Sequence, residues 1–112
     1  MKRDMFMNYA ISQAIRSRKG VVYEIVNTIT GYRYIGSTTN FKQRKKSHLQ
    51  NLKSEIFLSS RMRSDYNEHG IESFAFNIVS RHKNWWAAHI VERKLISNEP
   101  KIYNKLIYKK AS

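Results

Sequence analysis

Two hydrophobic periods divide the chain. Residues 5–18 contain no Gly or Pro, and Met7, Ala10, Ile11, Ala14 and Ile15 recur at steps of three and four, which predicts a helix with one apolar face. Gly20 breaks that pattern. Residues 21–26 (VVYEIV) and 32–37 (YRYIGS) are β-branched and aromatic, and Asn27-Thr28-Ile29-Thr30-Gly31 between them carries turn chemistry, so a β-hairpin is expected. The helical period returns at Phe41 and runs to about Leu52 behind Asn40 as N-cap, with Phe41, Arg44, His48 and Leu52 on one stripe. Ser59 or Ser60 caps a further helix that stops at Gly70 and sets Met62, Tyr66 and His69 on one side. Residues 74–79 (FAFNIV) read as a third strand. A last helix spans about Trp85 to Ser97, with Trp85, Ala88, Val91, Leu95 and Ile96 as its apolar stripe, Glu92 in the middle of that stripe, and Pro100 beyond its end. Residues 101–110 form a basic, aromatic tail that packs or frays.

These elements describe one α+β domain over residues 20–112. It is a small three-stranded antiparallel sheet flanked by helices in the order β-β-α-α-β-α, preceded by an N-terminal helical extension over residues 1–19. The length of 112 residues supports a single core, and a hydrophobic content of 41% is enough to fold it. No repeat or linker tract subdivides the chain.

Charge changes the picture most. Lys and Arg number 21 against 8 Asp and Glu, a formal charge of +13, so a polyanion is the expected partner, with DNA ahead of RNA. The absence of cysteine excludes disulfides, thiolate zinc sites and a cysteine nucleophile, and fits a reducing compartment. Charge and asparagine in residues 1–8 do not suit a signal peptide, and no stretch approaches the ~20 apolar residues of a membrane span. A cytoplasmic protein with no membrane partner is expected.

Several residues are candidates for chemistry. Tyr23 and Tyr34 fall on one surface of a tight hairpin, although tyrosine is also an ordinary strand former. The basic run Lys42-Gln43-Arg44-Lys45-Lys46 is either a solvated helix face or a phosphate grip, and Arg44 is expected half-buried because it points with Phe41 and Leu52. His48 reads as a hydrogen-bonded core residue or a proton carrier. His82 and His89 read as incidental. Glu92, a carboxylate on an apolar stripe, needs a cation: a salt bridge to Arg44 or a lysine, or a hard divalent metal shared with waters and phosphate oxygens.

In chain order these pieces resemble the GIY-YIG nuclease superfamily. Residues 20–27 (GVVYEIVN) are similar to its first motif strand, with Gly20 standing just before Val21-Val22-Tyr23, and Tyr34-Ile35-Gly36-Ser37 is similar to the second motif. Arg44 and His48 match the family's Arg-x-x-x-His helix. Residues 67–70 and 74–79 are similar to its helix end and third strand, and Glu92 and Tyr103-Asn104 match its metal-binding glutamate and terminal asparagine. Within the family the spacing most resembles the catalytic domains of phage and intron homing endonucleases.

The resemblance implies a metal-dependent DNA endonuclease, a phosphodiester hydrolase that nicks or cuts both strands. Its catalytic residues would be Tyr23, Tyr34, Arg44, His48, Glu92 and Asn104. Glu92 would hold Mg²⁺ or Mn²⁺, and Lys42, Arg44, Lys45 and Lys46 would hold nucleic acid. Tyr23 would serve as general base or relay, with Arg44, His48 and the metal supplying the positive field a phenolate needs. Homing relatives carry a separate DNA-recognition region, and here the sequence runs only a few residues past Asn104, so low intrinsic sequence specificity is expected. The extension over residues 1–19 would supply a partner surface or extra phosphate contacts through Arg16, Arg18 and Lys19. A homodimer is compatible with a double-strand break. A phage-encoded chain would act in the host cytoplasm. The alternative on the same fold is a catalytically silent nucleic-acid-binding module.

Overall fold

The structure is a computed structural model that describes residues 17–104. The elements are β1 (Gly20–Asn27), β2 (Arg33–Thr38), α1 (Phe41–Lys53), α2 (Ser60–His69), a 3₁₀ turn (Ile71–Ser73), β3 (Phe74–His82) and α3 (Trp85–Asn98). The three strands form one antiparallel sheet in the order β2-β1-β3, which is the expected α+β architecture. The helix predicted over residues 5–18 lies outside the described residues but for its last two, which form a turn and a bend. Among the described residues, no helix is long and apolar enough to cross a membrane.

The hairpin closes because Asn27 is buried and its Oδ1 accepts from the backbone N–H groups of Ile29 (2.9 Å) and Thr30 (3.0 Å), while Gly31 takes φ +82°. Asn40, Ser59 and Asn84 each accept a backbone N–H three residues ahead and so start α1, α2 and α3. Gly70 ends α2 at φ +81°.

As the central strand, β1 is covered on both faces, and this divides the core. On one face Tyr23 and Ile25 meet Leu52 of α1, Met62 of α2, Phe74 and Tyr103. On the other, Val22 and Ile35 meet Ala88 and Ile96 of α3. β3 runs to His82, three residues beyond the predicted end, because the first residues of β1 need partners: Gly20 pairs with His82 and Val22 with Ser80. The register shifts between Val22 and Tyr23, leaving Val79 as the extra residue of a bulge.

β2 is an edge strand, and the tail covers it. Arg33 N–H donates to Lys101 O (3.1 Å), Tyr103 N–H donates to Arg33 O (2.8 Å), and Ile102 bridges Arg33 in parallel. The segment is anchored by Tyr103, which is fully buried and donates its hydroxyl to Asp65 Oδ2 of α2 at 2.5 Å. Residues 101–104 of the tail therefore pack; the rest of it lies outside the described residues. Arg33 itself sits between Glu99 (3.3 Å) and Glu24, its Nε 3.0 Å from Glu24 Oε1 in an ionic contact without hydrogen-bond geometry.

Candidate active site

Tyr23 leaves the middle of β1 toward α1, and its side chain is entirely buried. Tyr34 (6.3 Å between ring centroids), Phe41 (5.8 Å) and His48 (5.6 Å) surround its ring. Directly across the hairpin stands Gly36. A Cβ there would fall 2.5 Å from the Tyr23 hydroxyl oxygen and 2.6 Å from Cζ, so only glycine lets the phenol lie over β2.

The hydroxyl has two partners. It lies 2.8 Å from His48 Nε2, and Arg44 Nη1 approaches it at 3.4 Å. Burial, and next the Tyr34 charge, push the Tyr23 phenol well above its ordinary value, with Arg44 opposing. Burial, and next the Arg44 cation, depress His48 from 6.5 to about 4. At neutral pH the phenol therefore keeps its proton and the imidazole is neutral, so Tyr23 donates to His48 while its oxygen accepts from Arg44. In this state His48 adds no positive charge beside Tyr23 and accepts its hydrogen bond.

Glu92 comes from α3, the helix on the opposite face of the sheet from α1. The two layers meet around the end of β2, in a cleft of about 380 Å³ lined by Tyr34, Gly36, Ser37, Thr38, Thr39, Arg44, Trp85, His89 and Glu92. The Glu92 carboxylate accepts from Ser37 Oγ at 2.5 Å and lies 3.4 Å from His89 Nδ1, both through Oε1. Among the described residues it forms no salt bridge with Arg44 or a lysine. Burial, then the Glu92 charge, raise Tyr34 above its ordinary value, with Arg44 opposing.

The sequence-predicted residues thus divide. Tyr34, Arg44 and Glu92 line the cleft, while Tyr23 and His48 stand behind its Gly36 wall. Asn104 does not reach it. Its amide spans the outer edge of β2, accepting from Ile35 N–H (2.9 Å) and donating to Ile35 O (2.8 Å), and so holds the backbone between Tyr34 and Gly36. Arg44 is exposed rather than half-buried; only the end of its side chain turns inward to Tyr23. The helical stripe gave its direction correctly but not its depth, since α1 has little covering it there. Lys42, Lys45 and Lys46 line a separate shallow groove along α1 with Leu49, Gln50 and Lys53.

Ser37 and His89 were missed as site residues. The signal for His89 was its position three residues before Glu92 on one helix face, four after Trp85, on whose ring it stacks at 5.0 Å and 17°. Ser37 stood inside the second motif but read only as a strand residue.

A divalent cation fits this cleft in one way only. Among the described residues no group of three or more His, Cys, Asp or Glu side chains converges. Glu92 alone offers a carboxylate, with its contacts on Oε1 and its side chain 16% exposed. A hard ion that retains most of its waters and borrows phosphate oxygens suits such a donor set; zinc does not.

Comparison with known proteins agrees with the fold and with the family resemblance. The "Probable intron-encoded endonuclease 1" of Neurospora crassa is 34% identical over 67 residues, covering 60% of this chain and 21% of that protein, so the chain spans about a fifth of that relative's length. The solved catalytic domain of homing endonuclease I-TevI superimposes with a TM-score of 0.65 at 24% identity, covering 76% of this chain and 96% of that one. A glutamate-to-alanine mutant of the same domain gives 0.61 at 26% identity, covering 84% and 97%. The family model of the GIY-YIG catalytic domain matches residues 19–106, most of the chain. The chain belongs to the GIY-YIG family and carries its catalytic domain.

Proposed function

We propose that this chain hydrolyses phosphodiester bonds in DNA in a divalent-metal-dependent reaction, with little sequence specificity of its own. The observation that carries this reading is the proton path from Tyr23 to neutral His48, set behind a cleft that holds Arg44 on one side and Glu92 on the other.

A scissile phosphate in the cleft places its nonbridging oxygens against Arg44, whose guanidinium offsets the charge that grows there as water attacks phosphorus. Tyr34, which lines the cleft, takes the proton of that water and passes its own to Tyr23, whose proton moves to His48 Nε2, so neither phenol has to ionise fully in a site that opposes ionisation. The phosphate's negative charge counters the Arg44 field and strengthens His48 as acceptor. Tyr34 orients the water or the phosphate. The P–O bond to the leaving oxygen breaks, and that oxygen takes a proton from solvent. Glu92 would hold Mg²⁺ or Mn²⁺, which when bound supplies Lewis-acid stabilisation of the phosphate and leaving oxygen. Ser37 and His89 fix the carboxylate from behind. Asn104 keeps β2 in register with the cleft. Lys42, Lys45 and Lys46 attract the backbone without reading bases.

Incubation of the purified chain with supercoiled plasmid and either metal tests the reading, with the new ends mapped. Relaxed and linear products whose ends are scattered support it. Binding without cleavage assigns the chain to the silent module instead.

A further inference from the structure

Beyond the cleft described above, a larger basic cleft opens at the end of the sheet where β1 begins and β3 finishes. It has a volume of about 620 Å³ and is lined by Lys19, Gly20, Val21, Thr39, Asn40, Phe41, Arg81, His82 and Lys83. Its lining contains no carboxylate. Among the described residues, Lys19, Arg81 and Lys83 have no acidic partner, in contrast to Arg33 and Arg61, which are paired.

The two clefts adjoin along two seams. Thr39 lines both. On the other side Gly20 lies so close to the start of α3 that a Cβ on it would meet the Trp85 Cα at 2.7 Å, and Trp85 lines the catalytic cleft. The two clefts are therefore neighbours, with Thr39 and the Gly20–Trp85 contact between them. The basic cleft also faces the start of α1, whose Asn40 side chain already serves Gln43 N–H. The free N–H groups of that first turn add positive potential to three unpaired cations.

We infer that this cleft is a phosphate-binding subsite for the DNA strand that carries the scissile bond, with Lys19, Arg81 and Lys83 gripping phosphates adjacent to the one cleaved. The inference rests on the nuclease reading above and adds to it a place, in which Arg81 and Lys83 join Lys19, outside the Lys42–Lys46 run. The cations act on binding and touch no reacting atom.

The test uses the whole chain with Lys19→Gln, Arg81→Gln and Lys83→Gln together. All three side chains are exposed, so the substitutions leave the core intact, and thermal melting checks this. Affinity for a short duplex is measured across salt concentrations, and single-turnover cleavage across enzyme concentrations at fixed DNA. Arg63→Gln, on α2 beside a different cleft, is the control. The triple variant should lose about 2 to 3 from the slope of log affinity against log salt, as expected for that many lost phosphate contacts. Half-saturation should rise on the order of ten- to a hundredfold, with the rate at saturation unchanged. An unchanged slope and half-saturation overturn the subsite, as does a fall confined to the saturating rate. A parent chain that neither binds nor cuts DNA overturns the nuclease reading itself, and that failure shows in the parent arm alone.

Discussion

The Tyr23 hydroxyl lies 2.8 Å from His48 Nε2, across the gap between β1 and α1, and burial drives the two groups apart: the phenol becomes harder to ionise and the imidazole harder to protonate. The pair therefore rests as neutral donor and neutral acceptor. Tyr23→Phe removes the relay while keeping the ring that Phe41 and Tyr34 pack against. Cleavage should fall on the order of 10²- to 10⁴-fold. The melting temperature should drop only modestly, since one hydrogen bond is lost and a buried acceptor is left alone, at about 1–3 kcal/mol. Single-turnover nicking and a thermal melt of the same preparation read both.

His48 also makes a statement about pH. Its folded value of about 4 lies below its ordinary 6.5, so between those values the unfolded chain binds a proton that the folded chain refuses. This contribution to stability is complete above pH 6.5 and is lost as pH falls toward 4, by up to about 3 kcal/mol. Urea unfolding of the parent and of His48→Gln at several pH values checks the sign: the parent should weaken across this window and the variant should be flatter by that amount. A parent that gains stability on acidification through the window contradicts a neutral buried imidazole.

How much of this was legible beforehand follows from how local each signal is. The caps at Asn40 and Ser59 and the Asn27 turn are contacts within a few residues, so sequence located α1, α2 and the hairpin closely. The end of β3 was not legible, because Ser80, Arg81 and His82 look like loop and are strand only because Gly20, Val21 and Val22 pair with them. Spacing placed Arg44 with His48 yet could not show that Arg44 is exposed. Asn104 was legible as a motif residue, but its use was not: it pairs with Ile35 because β2 is an edge with free backbone groups, a fact of topology. His89 was passed over because its partner Glu92 and its stacking on Trp85 matter only once α3 faces the cleft.

Gly36 is required for close approach rather than for backbone freedom. In Gly36→Ala the new methyl meets the Tyr23 hydroxyl and Cζ, and the phenol is flanked by Phe41, Tyr34 and His48, with little room to retreat. The variant should lose about 1–3 kcal/mol of stability by overpacking. Its residual activity should fall further than stability alone explains, because the displaced hydroxyl leaves His48. Comparing cleavage well below the variant's melting temperature separates the two effects.

Glu92→Gln keeps the size of the side chain and its hydrogen bond with Ser37 but removes the charge that would hold a cation. Metal-dependent cleavage should fall at least about a hundredfold, with affinity for duplex DNA unchanged or slightly raised by the loss of a negative charge. Fluorescence anisotropy with labelled duplex, run beside the nicking assay, distinguishes this from a general loss of structure. Retained metal-dependent nicking removes Glu92 from the metal assignment.

With a formal charge of +13, DNA affinity should be dominated by counterion release. If six or more phosphates are neutralised, affinity falls on the order of a thousandfold between about 50 and 200 mM salt. A flat response in the same titration speaks against a nucleic-acid partner.

The most direct test of a phosphodiester-cleaving cleft at the end of β2 is conversion of supercoiled plasmid in Mg²⁺ by the parent chain and by Tyr23→Phe, at concentrations where both are fully bound to DNA. The parent should produce open-circular or linear plasmid, and the variant should leave it supercoiled over the same period. An inactive parent, or equal rates for the two chains, would contradict the account.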